Sequence, residues 1–289
     1  MKLVFTAAVA LWAGGSVAKP IEPLIYNGTR SEAGEFGPMG WIGNCTGTLV
    51  ADNVIITAAH CTRTGARITY TNRETGRAIA ATCTNHPRYN TRTVFNDYAL
   101  CKLDTALPEA QKVVMDIETG VSAQERMLAN GFGAPNVRVH YWGSSLVRSI
   151  NGQDIITCGP AKLGGGDSGG SLLRWSDARG KDAKFVVVGV NSRADVNGPC
   201  SYFNRLNHPE FTSWVRQYET AAGVSICGVS RKDCHGPIAP PPPPAACVGV
   251  KAHVEKLAAC VLSKVGKEEC RSALKSTDAC RASIVGGGA

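Results

Sequence analysis

Short runs of β-branched and apolar residues, broken at close intervals by turn residues, restrict this chain more than any other feature. Thr46-Gly47-Thr48-Leu49-Val50 runs into the turn pair Asp52-Asn53, and Val54-Ile55-Ile56-Thr57 follows at once. Ile68-Thr69-Tyr70, Ala78 to Cys83, Asp97 to Leu103, Val137 to Trp142, Asp154 to Cys158 and Phe185 to Val190 have the same character. Runs this short and this rich in Val, Ile, Thr and aromatics read as strands. Gln111 to Leu128 has no clear pattern. Pro209 to Ala222 reads instead at helical spacing, with Phe211, Trp214, Val215 and Tyr218 on one face. Many strands followed by one helix predict an all-β fold of two antiparallel β-barrels with little helix.

The cysteines and the first residues set the compartment. Met1-Lys2 leads into an apolar run from Leu3 to Trp12, and Ser16-Val17-Ala18 is a small-residue cleavage site. This reads as a secretory signal peptide over residues 1–18, too short for a membrane span. Lys19 to Leu24 is a short lead, expected to be a propeptide. Twelve cysteines, an even number, then imply up to six disulfides in an oxidising compartment, with a secreted, extracellular destination. Cys45 and Cys61 bracket one hairpin, Cys83 and Cys101 lie across another, and Cys227 and Cys234 close a small loop. No CxxC pair or His/Cys cluster occurs, so neither a metal nor another cofactor is expected. The formal net charge is +8, yet the basic residues are scattered and do not interleave with aromatics. Nucleic acid is therefore not an expected partner.

After Ala222 the composition shifts. Residues 223–246 read as a cysteine loop and a linker, with Pro240 to Pro244 as a stiff spacer of roughly 15 Å. Residues 247–283 read as a small helical hairpin carrying Cys247, Cys260, Cys270 and Cys280. An antiparallel hairpin would pair Cys247 with Cys280 and Cys260 with Cys270, one of three possible connectivities. Such a module needs disulfide staples, having too little core of its own. It is a candidate for a tail-binding partner of unknown kind. Residues 284–289 are glycine-rich and expected to be disordered.

The chemistry concentrates in Gly164-Gly165-Gly166-Asp167-Ser168-Gly169-Gly170-Ser171. A serine needs a neighbouring base to act as a nucleophile. The oxyanion it makes needs backbone N–H donors that no side chain obstructs. No lysine follows these glycines as a phosphate-binding loop would require. Upstream stand Thr57-Ala58-Ala59-His60-Cys61 and Asn96-Asp97-Tyr98-Ala99-Leu100, giving the chain order His, Asp, Ser. On these motifs, residues 25–222 resemble the chymotrypsin/trypsin-like serine proteases.

The resemblance implies two antiparallel six-stranded β-barrels with a C-terminal helix. It implies hydrolysis of protein or peptide substrates through an acyl-enzyme, with Ser168 as nucleophile, His60 as base and then acid, and Asp97 holding His60. The backbone N–H groups of Gly166 and Ser168 would form the oxyanion hole, and Ser192 would hydrogen-bond Asp97. Ile25-Tyr26-Asn27-Gly28 resembles the family's activation segment, in which a freed ammonium pairs with the aspartate before the nucleophile, here Asp167. Tyr26 stands where valine is usual, and Leu24 would precede the cut. Asn130-Gly131-Phe132-Gly133 resembles the family's Gly-Trp-Gly turn. Cys158 and Cys200 would brace the substrate pocket. Lys162 occupies the place that is aspartate in trypsin-like members, so no preference for Arg or Lys is expected. Ala194 and Ser201 would line the pocket walls, and Lys162 would either favour an acidic side chain or face solvent. His86, His140, His208, His235 and His253 read as turn or surface residues. Asn27 and Asn44 head glycosylation sequons, at places expected to be buried and so unmodified. A catalytically silent, protease-like binding protein is the alternative from another functional class.

Overall fold

The computed structural model describes residues 25–32, 35–133, 139–176, 184–232 and 234. The expected signal peptide, propeptide, proline run and cysteine-bearing tail lie outside these residues, as do His235, His253 and Cys247, Cys260, Cys270 and Cys280. The elements are β1 (Thr29–Arg30), β2 (Met39–Ile42), β3 (Cys45–Ala51), β4 (Val54–Thr57), β5 (Arg67–Asn72), β6 (Ala78–Asn85), β7 (Ala99–Leu103), β8 (Val114–Met115), β9 (Arg126–Gly131), β10 (Tyr141–Asn151), β11 (Asp154–Cys158), β12 (Ser171–Ser176), β13 (Lys184–Ala194), β14 (Cys200–Arg205) and α1 (Pro209–Ala222).

The order β2-β3-β4-β7-β6-β5 closes into a six-stranded antiparallel barrel. The order β10-β11-β14-β13-β12-β9 closes a second, because β9 also pairs with β10. Closure leaves no strand edge within either ring open to unwanted pairing. β1 adds to β10, and β8 runs parallel beside β13. The first barrel fills its interior with Ile42, Leu49, Ile55, Tyr70, Ile79 and Leu103. The second uses Ile25, Met127, Val147, Ile155, Leu172 and Phe203. A third cluster, with Val50 and Leu100 from one barrel and Leu173 and Val187 from the other, joins the two and seats α1.

The helix has matching ends. His208 caps it by accepting from the Glu210 N–H, proline stands in its first turn, and Gly223 terminates it at φ 62°. Its buried face is Phe211, Trp214, Val215 and Tyr218. Disulfides join Cys45 to Cys61, Cys83 to Cys101, Cys158 to Cys200 and Cys227 to Cys234.

The structure corrects several local expectations. The stretch before Leu128 contains β8 and the start of β9. Asn130 and Gly131 finish β9 and do not form a turn, and β10 begins at Tyr141. The Cys227–Cys234 loop packs on the first barrel: Ile226 and Cys227 are fully buried, the Cys227 N–H donates to Val50 O at 2.9 Å, and Arg231 pairs with Asp52. These contacts, made to the distant β3–β4 region, leave no local pattern in the sequence. His86 and His140 are buried, held by aromatic neighbours that a local reading cannot see. Asn27 and Asn44 are exposed, each at a chain reversal beside a positive-φ residue or in that conformation itself.

Candidate functional site

The site forms where the two barrels face each other. His60 sits in a single helical turn, Ala59–Cys61, that follows β4. Asp97 lies on the approach to β7, whose register pairs Thr57 with Ala99. That pairing brings the residue after one strand next to the residue before its neighbour. Asp97 is fully buried and accepts from His60 twice: from Nδ1 at Oδ2, 2.7 Å, and from the backbone N–H at Oδ1, 2.9 Å. The second bond fixes the carboxylate relative to the backbone that carries the imidazole. His60 itself remains partly exposed, with its Nε2 directed to no protein partner.

The opposite barrel completes the cage around Asp97. Ser192 Oγ donates to Asp97 Oδ2 at 2.7 Å, and the Asp97 N–H donates to Asn204 Oδ1 at 2.8 Å. Ser192 is the extra residue of a β-bulge. On β13, Asn191 faces Phe203 and Arg193 faces Tyr202, leaving Ser192 unpaired between them. A bulge turns a side chain out of the normal alternation. Here it brings a hydroxyl from the second barrel to a carboxylate of the first.

Ser168 lies in the loop between β11 and β12. This loop is stitched to the first barrel through Thr46. The Thr46 N–H donates to Ser168 O at 2.8 Å, Thr46 Oγ1 donates to Gly166 O at 3.0 Å, and Oγ1 accepts from the Phe132 N–H. Gly169, at φ 80°, runs so close to β4 that an added Cβ would stand 2.1 Å from Thr57 Oγ1 and 2.9 Å from the Ala58 nitrogen. No residue with a side chain fits there. The nucleophile loop is thus pressed against the residues that lead into His60.

Within this loop the N–H groups of Gly169 and Gly170 are spent on Asn191 O and Asp167 O. Among the described residues, the N–H groups of Gly166 and Ser168 donate to no protein acceptor. Gly166, at φ 99°, holds a conformation that turns the peptide outward. Ser168 Oγ and His60 Nε2 are not hydrogen-bonded to each other in this state. Such contacts are often long until substrate is bound.

Asp167 points the other way. It is fully buried, and its carboxylate accepts from the Gly133 N–H at 3.0 Å and the Gly164 N–H at 2.9 Å. Burial pushes its pKa up to about 7, against those two hydrogen bonds. Ile25 is fully buried in the second barrel's core, with Gly28 and Gly143 pressed against it. Tyr26 then pairs with Lys162 in an antiparallel bridge.

A cavity of about 310 Å³ opens at Ser168 and is bounded by Tyr26, Lys162, Leu163, Ala194, Asp195 and Val196 among others. Ala194 is among the residues that line it. Ser201 is not: it is buried behind the wall, where its Oγ accepts from the Leu163 N–H at 3.0 Å. Cys158 and Cys200, facing each other across β11 and β14, brace the same wall. Cys45, Cys61 and His60 crowd together, but both sulfurs are taken by a disulfide and offer no thiolate to a metal. Thr46, Asn191 and Asn204 are part of the site and escaped the sequence reading. Each acts through contacts more than 20 positions away, and no local pattern marks them.

A family model described as Trypsin matches residues 25–215. Comparison with curated protein sequences finds no match.

Proposed function

The chain belongs to the trypsin family, and on that premise we propose that it is a secreted serine endopeptidase acting through His60, Asp97 and Ser168. The observation that carries this reading is the pairing of unspent groups at one cleft. An imidazole is oriented by a buried carboxylate, the loop that carries Ser168 packs against the residues leading into that imidazole, and the N–H groups of Gly166 and Ser168 donate to no acceptor among the described residues.

The residues suit each step. Asp97 accepts the Nδ1 proton of His60, which leaves Nε2 as the basic nitrogen. Ser168 Oγ attacks the scissile carbonyl as its proton passes to Nε2. The developing oxyanion takes the N–H groups of Gly166 and Ser168, each such donor being worth on the order of 3 kcal/mol. The protonated imidazole then gives its proton to the leaving amine, and water, activated by the same nitrogen, cleaves the acyl-enzyme. Ser192 and Asn204 keep Asp97 in place throughout.

Activation follows from Asp167. Cleavage after Leu24 would free an ammonium at Ile25, and the buried carboxylate is the partner such a charge requires. Residues 1–18 then serve as the export signal, consistent with four disulfides in the described residues. No helix among the described residues is long and apolar enough to cross a membrane.

A catalytically silent binding protein is the competing reading, and the missing hydrogen bond between Ser168 and His60 is what favours it. Treating the processed protein with a fluorophosphonate probe separates the two. A covalent adduct on Ser168, lost in His60→Ala, is the expected result. Absence of any adduct in protein beginning at Ile25 would sink the peptidase reading.

A further inference from the structure

The cavity beside Ser168 is lined by a lysine that forms no ion pair among the described residues. Lys162 lines it, and no carboxylate lies within ion-pair distance of its ammonium among the described residues. The other cation at the cavity is already engaged. Arg193 forms a two-pronged pair with Asp154, with Nη2 at 2.5 Å from Oδ2, and its guanidinium lies 4.5 Å above the Tyr202 ring. The cavity's own carboxylate, Asp195, accepts from the Tyr202 hydroxyl at 2.9 Å. Lys162 is left as the free charge.

Its amine is held in place by an aromatic ring. Nζ lies 5.6 Å from the centroid of Tyr26, within the range of a cation–π contact. The two residues are also joined through their backbones: the Tyr26 N–H donates to Lys162 O at 2.8 Å, and the Lys162 N–H donates to Tyr26 O at 3.3 Å. A lysine stem is flexible, and holding it in one geometry removes rotamer freedom. Tyr26 does this from one side, leaving the ammonium's donors free on the other.

We propose that Lys162 binds the carboxylate of an acidic side chain, glutamate or aspartate, at the residue whose carbonyl Ser168 attacks, and that Tyr26 is the positioning residue for its ammonium. This rests on the peptidase reading for the reaction but not for the binding. Leu163, Ala194 and Val196 supply apolar walls for the side chain's methylenes, and a volume of about 310 Å³ admits glutamate with room to spare. An arginine or lysine that reached Lys162 would meet a like charge, which disfavours it there, and Asp195, on the same cavity, is the group that would have to offset this. Because Tyr26 is the second residue of the segment freed after Leu24, processing and substrate choice share one structural element.

The test compares peptides that differ only in Glu, Gln or Arg at the cleaved position, using processed full-length chain. A charge-assisted contact in a partly closed pocket predicts kcat/KM for Glu about 10- to 100-fold above Gln, with Arg lower still. Lys162→Gln should erase the difference between Glu and Gln. Tyr26→Ala should shrink it mainly through KM, and Tyr26→Phe, which keeps the ring, should restore it. Equal rates for Glu and Gln, or a Glu preference that survives Lys162→Gln, would overturn the proposal while leaving the peptidase reading intact. Binding of product peptides ending in Glu or Gln to Ser168→Ala protein gives a readout without chemistry. Tighter binding of the Glu peptide that requires Lys162 supports the site even if no peptide is cut. Equal binding of the two peptides refutes it.

Discussion

Asp167 offers a quantitative check on the activation argument. In the uncleaved chain its carboxylate is buried without a cation, and its pKa rises from an ordinary 3.8 to about 7. The folded state therefore holds a proton that the unfolded state releases across that interval. The contribution of Asp167 to stability must fall as pH rises from about 4 to 7, and then level off. At 1.36 kcal/mol per pH unit, the full loss is about 4 kcal/mol, more than half of it between pH 5 and pH 8. For a domain of this size that is a drop of roughly 5–10 °C in Tm. The assay is thermal unfolding of uncleaved Ser168→Ala protein at pH 5 and pH 8, with and without Asp167→Asn. The asparagine misfits one of the two donors from Gly133 and Gly164, which costs a constant amount at every pH. The slope is thus the readout, and it should flatten in the variant. His86, His140 and His208 are pushed down by burial and so add stability as pH rises. They act in both proteins and cancel in the comparison. Cleavage after Leu24 should flatten the slope as well, by supplying an ammonium. Parallel slopes with aspartate and asparagine at position 167 would refute the idea that this carboxylate is an unpaired charge waiting for Ile25.

Three further outcomes are expected. His60→Ala and Ser168→Ala should each lower kcat by at least about 10⁴-fold, and the double variant should be little worse, since the two act as a unit; additive losses measured by active-site-titrated kinetics would contradict that. Ser192→Ala removes one of the bonds to Asp97 Oδ2 and should lower kcat about 10-fold with KM unchanged, so an effect confined to KM would argue against a role in holding Asp97. Gly169→Ala forces a side chain into positive φ and onto Thr57 Oγ1 and Thr46 O, which should destabilise the fold by about 3 kcal/mol or more; near-native denaturant midpoints would mean the two barrels are less tightly closed at this loop than described.

The sequence by itself determined the fold class and marked out candidate site residues, because those signals are short-ranged. Val54–Thr57 and Phe185–Val190 are strands by composition, and both became buried strands of closed barrels. Pro209–Ala222 is a helix by spacing, and the helix spans those residues. His60, Asp97 and Ser168 were legible because each sits in a distinctive run of neighbours. What tertiary structure decided is everything that depends on residues meeting across the two barrels. The bulge that turns Ser192 toward Asp97 is a property of strand register. The burial of His86, His140 and the 223–234 segment depends on which surfaces pack upon them. Ser201 read as a pocket wall and became its brace, because one residue's difference along β14 moves a side chain from one face of the sheet to the other. The charge on Lys162 was visible from the start, but whether it was free or paired was not. An ion pair is decided by distance in space, and Arg193 and Asp154, 39 positions apart in sequence, form theirs where Lys162 finds none among the described residues.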